Sequence, residues 1–240
     1  MIKSFDKVIR DRMEVLAPLV ASGSVLDVGC VGARPERHDS SWVVQSKGNL
    51  LFKRLCEINP RTVGLDIDAQ GVSALKDAGF DAILGDAQSA DLQRQFDTIV
   101  AGEVIEHVTD PGRFLLNMRR HLAPNGRLAI STPNPFYCEQ TWKIWHHGSP
   151  EVNEGHVCWF DPITLVQLLK RTGFELVEGY WVQPRRSIFK NWKRLFRKYF
   201  SHSFLCVARR DEPPLPSRER DSERQPPRAT NADSSSPARP

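Results

Sequence analysis

Five short runs of aliphatic and β-branched residues recur along the first 131 positions: 24–28, 62–66, 82–84, 96–101 and 126–131. Stretches with helical spacing separate several of them, one through Val72 and Leu75 and another over Gly112 to Leu122. The runs are short and too evenly apolar to leave one face in water. Strands of that kind alternating with helices predict a mainly parallel sheet covered on both faces. Open sheets of this class bind ligands beyond the carboxyl ends of their strands, near the point where strand order reverses. The residues that follow each run are therefore the ones to inspect for function.

The remaining segments fit around that frame. Phe5 to Val20 reads as an amphipathic helix, with Val8, Ile9, Met13, Leu16 and Val20 on one face. Pro133 to Phe160 reads as a long irregular stretch rich in Trp, His, Pro and Gly, of the kind that carries function. A helix over Pro162 to Arg171 stops at Gly173, a strand follows from Phe174 to Val182, and Ser203 to Ala208 reads as the last strand. From Arg210 onward Pro, Ser, Arg and Asp dominate, which predicts a disordered tail. The expected organisation is one domain over 1–209, with a basic amphipathic helix inserted at about 185–200, and a tail over 210–240.

Composition narrows the class. No run reaches the roughly 18–20 apolar residues of a membrane span, and Met1 to Arg12 lacks the apolar core of a signal peptide. The five cysteines (Cys30, Cys56, Cys138, Cys158, Cys206) are scattered and odd in number. They are expected to be reduced thiols of a cytoplasmic protein, not a thiolate zinc site.

The residues after the strands form a series. Asp27-Val28-Gly29-Cys30-Val31-Gly32-Ala33 follows the first, Asp66 and Ile67 end the second, Gly85-Asp86-Ala87 follow the third, and Gly102-Glu103-Val104-Ile105-Glu106-His107 follow the fourth. A glycine turn lets backbone approach a ligand closely, and an acid at the end of a second strand can accept from both hydroxyls of a ribose. Each alone is an ordinary turn. Three in register after three successive strands point to one nucleoside-bearing ligand.

With these motifs the segment from Val25 to about Gly179 resembles the class I S-adenosylmethionine-dependent methyltransferases. It is most similar to the small-molecule branch that includes the ubiquinone-biosynthesis O-methyltransferases. The resemblance implies a Rossmann-like, seven-stranded α/β sheet, mostly parallel with an antiparallel last strand. It implies S-adenosylmethionine bound by Asp27, Gly29, Asp66, Ile67, Asp86, Ala87, Gly102 and Glu103. Gly29 would line the methionine portion, Asp66 the ribose, Asp86 and Ala87 the adenine, and Gly102 and Glu103 the sulfonium end. The chain departs from the family's Asp-x-Gly-x-Gly-x-Gly motif. Val31 and Ala33 stand where glycines are usual, Gly32 is shifted by one, and a polar insertion follows from Arg34 to Ser46. The expectation is a loop that takes another route round the cofactor. A dinucleotide site is set aside because no G-x-G-x-x-G is present.

Methyl transfer from a sulfonium is an in-line displacement whose hard chemistry the cofactor carries. A hydroxyl acceptor also has to lose a proton to a base or near a metal. Glu103, Glu106 and His107 share one face if a helical turn begins after the fourth strand. The resemblance implies that these three hold a divalent ion, usually Mg²⁺, although histidine is not a favoured magnesium ligand. Two other readings stay open: His107 with Glu106 as metal-free acid–base groups, and both as residues that merely orient the turn. His156 is a second candidate base or a cap for the helix near Asp161. His146 and His147 read as loop surface. Asn134-Pro135-Phe136-Tyr137 looks like the Asn-Pro-Pro-Tyr motif of nucleobase N-methyltransferases, but it follows the fifth run and not the fourth. Thr132 to Tyr137 is therefore read as a turn lining the acceptor pocket, not as a nucleobase clamp.

Charge is uneven. Arg185 to Lys198 holds seven basic residues and no acid, so a net +4 less these seven leaves −3 for the rest. That balance sets a nucleic-acid partner aside. Ile188, Phe189, Trp192, Leu195, Phe196 and Tyr199 fall on one helical face among these bases, which suits either an anionic membrane surface or packing on the domain. The sequence thus predicts an O-methyltransferase for a small or lipid-linked hydroxyl acceptor, a quinone precursor or glycan, with peripheral contact to the inner face of a membrane. The rival readings are an N- or C-methyltransferase and a scaffold that kept the fold without turnover.

Overall fold

The computed structural model describes residues 5–32, 50–183 and 201–211. Eight strands, β1 (Lys7–Ile9), β2 (Val25–Val28), β3 (Thr62–Asp66), β4 (Ala82–Leu84), β5 (Phe96–Gly102), β6 (Leu122–Pro133), β7 (Phe174–Val182) and β8 (Ser203–Arg210), make one sheet. Their order is β1-β7-β8-β6-β5-β2-β3-β4. Every pairing is parallel except those of β8, which runs antiparallel to both β6 and β7. The Rossmann-like α/β architecture with an antiparallel last strand is as the sequence predicts, with one strand more than seven.

The additional strand corrects the reading of Phe5 to Val20 as a single helix. Lys7–Ile9 pairs with Tyr180, Trp181 and Val182 instead, and helix α1 covers only Met13–Val20. A turn separates the two: the Glu14 carboxylate accepts from the Arg10 and Asp11 amides, and Asp11 Oδ1 accepts from the Met13 amide. Here a β-branched pair beside an open sheet edge outweighs local helical spacing.

Five further helices are described: α2 (Leu51–Ile58), α3 (Ala69–Asp77), α4 (Pro111–His121), α5 (Cys138–His147) and α6 (Pro162–Arg171). Their starts follow from local chemistry. Asp110 caps α4 through the Arg113 amide, with Pro111 in the first turn. Asp161 and Thr164 form a reciprocal capping box on α6. Because Asp161 itself fills that role, His156 is not the cap of this helix. Helix α5 lies inside the stretch expected to be irregular, and none of its residues is buried.

Alternate strand residues feed cores on the two sheet faces. Leu26, Val28, Ile99, Ala101, Leu128 and Ile130 join Phe114, Leu115 and Met118 of α4 and Leu165 and Leu169 of α6. Val25, Val100, Ala129, Leu205 and Val207 join Leu16 and Val20 of α1 and Leu55 of α2. A sheet buried on both sides is the physical reason for the apolar runs that the sequence displays. The order reverses at β2, which has β3 on one side and β5 on the other. Chain runs out from that point in both directions, leaving a crevice above the carboxyl ends of β2 and β5.

All five cysteines are free. Among the described residues no helix is long and apolar enough to cross a membrane. The basic stretch Ile188 to Tyr199, Ala33 with the polar insertion Arg34 to Ser46, and nearly all of the tail lie outside the described residues.

Candidate functional site

A cleft of ≈ 1150 Å³ opens at the reversal point. It is lined from the ends of β2 to β6 by, among others, Asp27, Gly29, Asp66, Asp86, Gly102 and Glu106. That exceeds an ordinary small-molecule pocket of roughly 300–1,000 Å³ and leaves room for a nucleoside-bearing ligand with an acceptor beside it.

The turn after β2 has two glycines in the left-handed region, Gly29 at φ +76° and Gly32 at φ +76°. A Cβ on Gly29 would sit 2.6 Å from Val104 Cγ2, so the backbone there can pass close under a ligand only without a side chain. Val31, one of the departures from the family motif, points elsewhere. It is buried with Cys30, Phe52, Val72 and Leu75, and Gly71 on α3 gives it room, since a Cβ at Gly71 would meet Val31 Cγ1 at 2.3 Å. The valine therefore fills the space between turn and helix, and the cleft stays open.

The Val31 amide donates to Asp66 Oδ2 at 2.8 Å, and the Asp68 amide to Asp66 Oδ1 at 3.0 Å. Burial raises the pKa of Asp66 against these bonds. Each carboxylate oxygen keeps a further lone pair for a ligand hydroxyl. Ile67, next in the chain, lies at the rim and is 72% exposed. Asp86 accepts from the Gln88 amide at 2.8 Å and so shapes the turn that presents Ala87. Asp27 is buried, and its Oδ1 has no hydrogen-bond partner among the described residues. Burial and the nearby Asp66 charge push its pKa well up, opposed by Arg12. An enclosed acceptor with unused lone pairs at a cleft wall fits a cationic or hydroxyl-bearing ligand.

Past β5 the chain bends sharply. Glu103 has φ +58°, unusual for a residue with a side chain, and strain of that kind collects at functional sites. Its Oε1 accepts from Arg12 Nη1 at 3.3 Å and Ser131 Oγ at 3.1 Å, and its amide donates to the Ser131 carbonyl. Arg12 Nη1 also donates to Ser131 Oγ at 2.9 Å. One oxygen of the glutamate is thereby tied into an ion pair at the end of the cleft nearest Gly102, while burial raises its pKa against the Arg12 charge.

Glu106 and His107 belong to a short 3-10 turn, Ile105–His107, and not to an α-helical turn shared with Glu103. Glu106 is 1% exposed. Its Oε2 accepts from Thr132 Oγ1 at 3.0 Å, while Oε1 has no partner among the described residues. Burial, then the neighbouring Glu103 charge, raises its pKa to about 8. His107 Nδ1 lies 2.9 Å from the Gly155 carbonyl. A carbonyl only accepts, so Nδ1 carries a proton, and in the neutral ring Nε2 keeps its lone pair. The His156 ring meets that of His107 edge to face at 4.7 Å between centroids. Burial, then the His107 charge, lowers the pKa of His156. The loop that carries His156 is pinned to the turn by the Val157 amide, which donates to the Glu106 carbonyl at 2.8 Å.

The structure thus gathers every residue predicted for cofactor and chemistry at one cleft. Of the three expected metal ligands, Glu103 pairs with Arg12, while donor atoms of Glu106, His107 and His156 lie within 4.8 Å of one another. Asn134 is spent on the fold, its Nδ2 donating to the Ser201 carbonyl, and Pro133 beside it lines the cleft. His146 and His147 end α5 at the surface. Sequence reasoning missed Arg12, Ser131 and Gly155. Arg12 carries no local signal, because its place beside Glu103 follows from how β1 and α1 dock on the sheet. The Gly next to His156 was the available hint for the last.

The methyltransferase-domain family profile matches residues 3–179. The Bradyrhizobium diazoefficiens "Ubiquinone biosynthesis O-methyltransferase" is 30% identical over 125 residues, 50% of this chain and 41% of that protein. The mitochondrial protein of the same name from Schizosaccharomyces pombe is 26% identical over 117 residues, 45% of this chain and 37% of the other. The match thus spans less than half the length of these curated relatives. Among solved structures, a SAM-dependent methyltransferase from Archaeoglobus fulgidus superposes with TM-score 0.57 at 17% identity, covering 82% of this chain and 90% of that one. The N-methyltransferase NodS from Bradyrhizobium japonicum, solved with S-adenosyl-L-homocysteine, gives TM-score 0.51 at 17% identity over 82% and 85%. These are likenesses of fold. With the profile match across most of the chain, the reversed sheet and the acids that follow its strands, the chain belongs to the class I S-adenosylmethionine-dependent methyltransferases.

Proposed function

We propose that this protein binds S-adenosylmethionine and transfers its methyl group to a hydroxyl of a small or lipid-linked acceptor. The observation that carries the reading is the His107–His156 pair beside buried Glu106, in the same cleft as Asp66 and Asp86. When bound, S-adenosylmethionine supplies a sulfonium methyl whose transfer leaves a neutral thioether. Asp66 would hold the ribose hydroxyls, and the turn before Ala87 the adenine. Arg12, Asp27 and the Gly29 turn would meet the charged methionine end.

With that donor held in the cleft, a C–O bond at the acceptor would form as the C–S pair left to sulfur. The acceptor's proton passes to His107 Nε2, whose lone pair the Gly155 carbonyl keeps available. His156 packs against that ring and holds its plane. Glu106 Oε1 offers an acceptor for a second hydroxyl. The protein's main contribution is alignment, which is the largest saving open to a displacement of this kind.

Calorimetric titration with S-adenosylmethionine tests the first half. Micromolar binding is expected, weakened at least about a hundredfold in Asp66→Ala, since two charge-assisted hydrogen bonds are lost at about 1.5–3 kcal/mol each. No binding by the unaltered protein supports the scaffold reading. Product analysis tests the second half, and a methyl group on nitrogen or carbon overturns O-methylation. A lipid-linked acceptor goes with cytoplasmic placement at a membrane surface. That proposal rests on the sequence of Ile188 to Tyr199 alone. It fails if the protein ignores anionic liposomes at low salt and Trp192→Glu leaves fractionation unchanged.

A further inference from the structure

We infer that Glu106, His107 and His156 form a site for one divalent transition ion of the zinc–manganese–iron class, and that magnesium is not its ion. The inference rests on the reading of this end of the cleft given above.

The ligand set implied by resemblance does not fit. Glu103 Oε1 is shared between Arg12 and Ser131, so a metal on that oxygen would have to displace a guanidinium. What remains is one carboxylate and, from the following loop, a second imidazole. Donor atoms of Glu106, His107 and His156 all come within 4.8 Å of one another. Metal bonds of about 2.1 Å place tetrahedral donors about 3.4 Å apart, so a modest inward turn of His156 closes the set.

Two independent features point to a ligand. Glu106 is almost wholly enclosed, yet its Oε1 has no partner among the described residues. A buried carboxylate with unused lone pairs calls for a cation or a donor. His107 already makes the outer contact that metal-bound histidines make: Nδ1 on the Gly155 carbonyl at 2.9 Å, Nε2 left to the cleft. Gly155 is small for the same reason, since a Cβ there would stand 2.9 Å from His107 Nδ1.

The donor chemistry selects the ion. Magnesium takes oxygen ligands in a strict octahedron and keeps its waters. Two imidazoles and a carboxylate suit zinc and its first-row neighbours, and three protein ligands leave a position open for an acceptor. An ion held there lowers the pKa of a hydroxyl that reaches it. Loading the site also occupies His107 Nε2, so the proton step given above belongs to the ion-free protein, and in the loaded protein the ion acts on the acceptor hydroxyl instead.

Full-length protein stripped with chelator would be titrated with Zn²⁺ and Mg²⁺, and with Co²⁺ for its visible bands. Parallel titrations with S-adenosylmethionine would use the same samples. The expected result is one equivalent of Zn²⁺ with micromolar or tighter affinity, Co²⁺ bands of an N,O-ligated low-coordinate ion, and no heat from Mg²⁺. Glu106→Gln and His156→Ala should each weaken Zn²⁺ at least tenfold. The double change His146→Ala with His147→Ala should leave it unaltered, and Glu103→Gln, which removes a neighbouring charge and no ligand, should change it less than tenfold. Saturable Mg²⁺ lost in Glu103→Gln, Zn²⁺ uptake indifferent to His156→Ala, Zn²⁺ lost with the α5 histidines, or no uptake of any ion would each overturn the inference. Cofactor binding without metal uptake sinks this inference alone, whereas failure to bind S-adenosylmethionine sinks the proposed function.

Discussion

Enclosing Glu106 has a consequence for stability as well as chemistry. Its folded-state pKa of about 8 lies above the ordinary 4.5. Native protein therefore holds a proton that the unfolded chain has released, and the stability this contributes below pH 4.5 is lost as pH rises towards 8. Glu106→Gln keeps the shape and cannot ionise. In chelator, the variant's melting temperature should gain on the parent's by several degrees between pH 5 and pH 9, at about 2–4 °C per kcal/mol for a chain of this size. Thermal scans at four pH values check this, and a gap that does not change with pH removes Glu106 as the proton-linked group. This residue shows where sequence reading stops. Glu106, His107 and His156 were legible as chemistry-bearing types, but their grouping was not. A helical turn would have joined Glu103 to the set, and the strained bend at Glu103 with a 3-10 turn after it breaks that register.

Elements show a trade invisible to motif matching. Val31 replaces a glycine of the usual turn, and Gly71 on α3 supplies the space that the turn no longer leaves. Gly71→Ala should cost about 1–3 kcal/mol through overpacking, and adding Val31→Ala should restore most of it. A double-mutant cycle in urea measures the coupling. Additive losses would show that the valine and the helix are independent. Strands β2 to β6 and helices α4 and α6 were legible because burial on two faces writes apolar runs, and capping writes Asp-Pro at helix starts. Helix α5 was not, because a helix that buries nothing leaves no periodic trace; Trp142 and Trp145 are exposed. β1 was misread because three residues are too few for strand alternation to outweigh the helical spacing that continues into α1.

Across the whole molecule, the first strand and the site are one system. Phe5 packs on Trp181 and Phe204, and its ring occupies the space that a side chain at Gly179 would need. The Trp181 indole N–H donates to the Phe5 carbonyl. Phe5→Ala should cost about 3–5 kcal/mol in a denaturant titration. It should also weaken S-adenosylmethionine binding without touching the cleft, because β1 sets the position from which Arg12 reaches Glu103. Unchanged affinity in that variant would show that α1 alone holds the arginine.

The same pairing imposes an order on synthesis. Lys7 meets Glu178 across 171 positions of sequence. At about 5–20 residues per second the ribosome needs roughly 10–30 s to make the intervening chain. Through that time the glycine turn and Asp66 can already be in place, while the arginine at the methionine end has no edge to dock against. With Arg12 in the role proposed for it, full affinity for the methyl donor is expected only of a chain translated past β7.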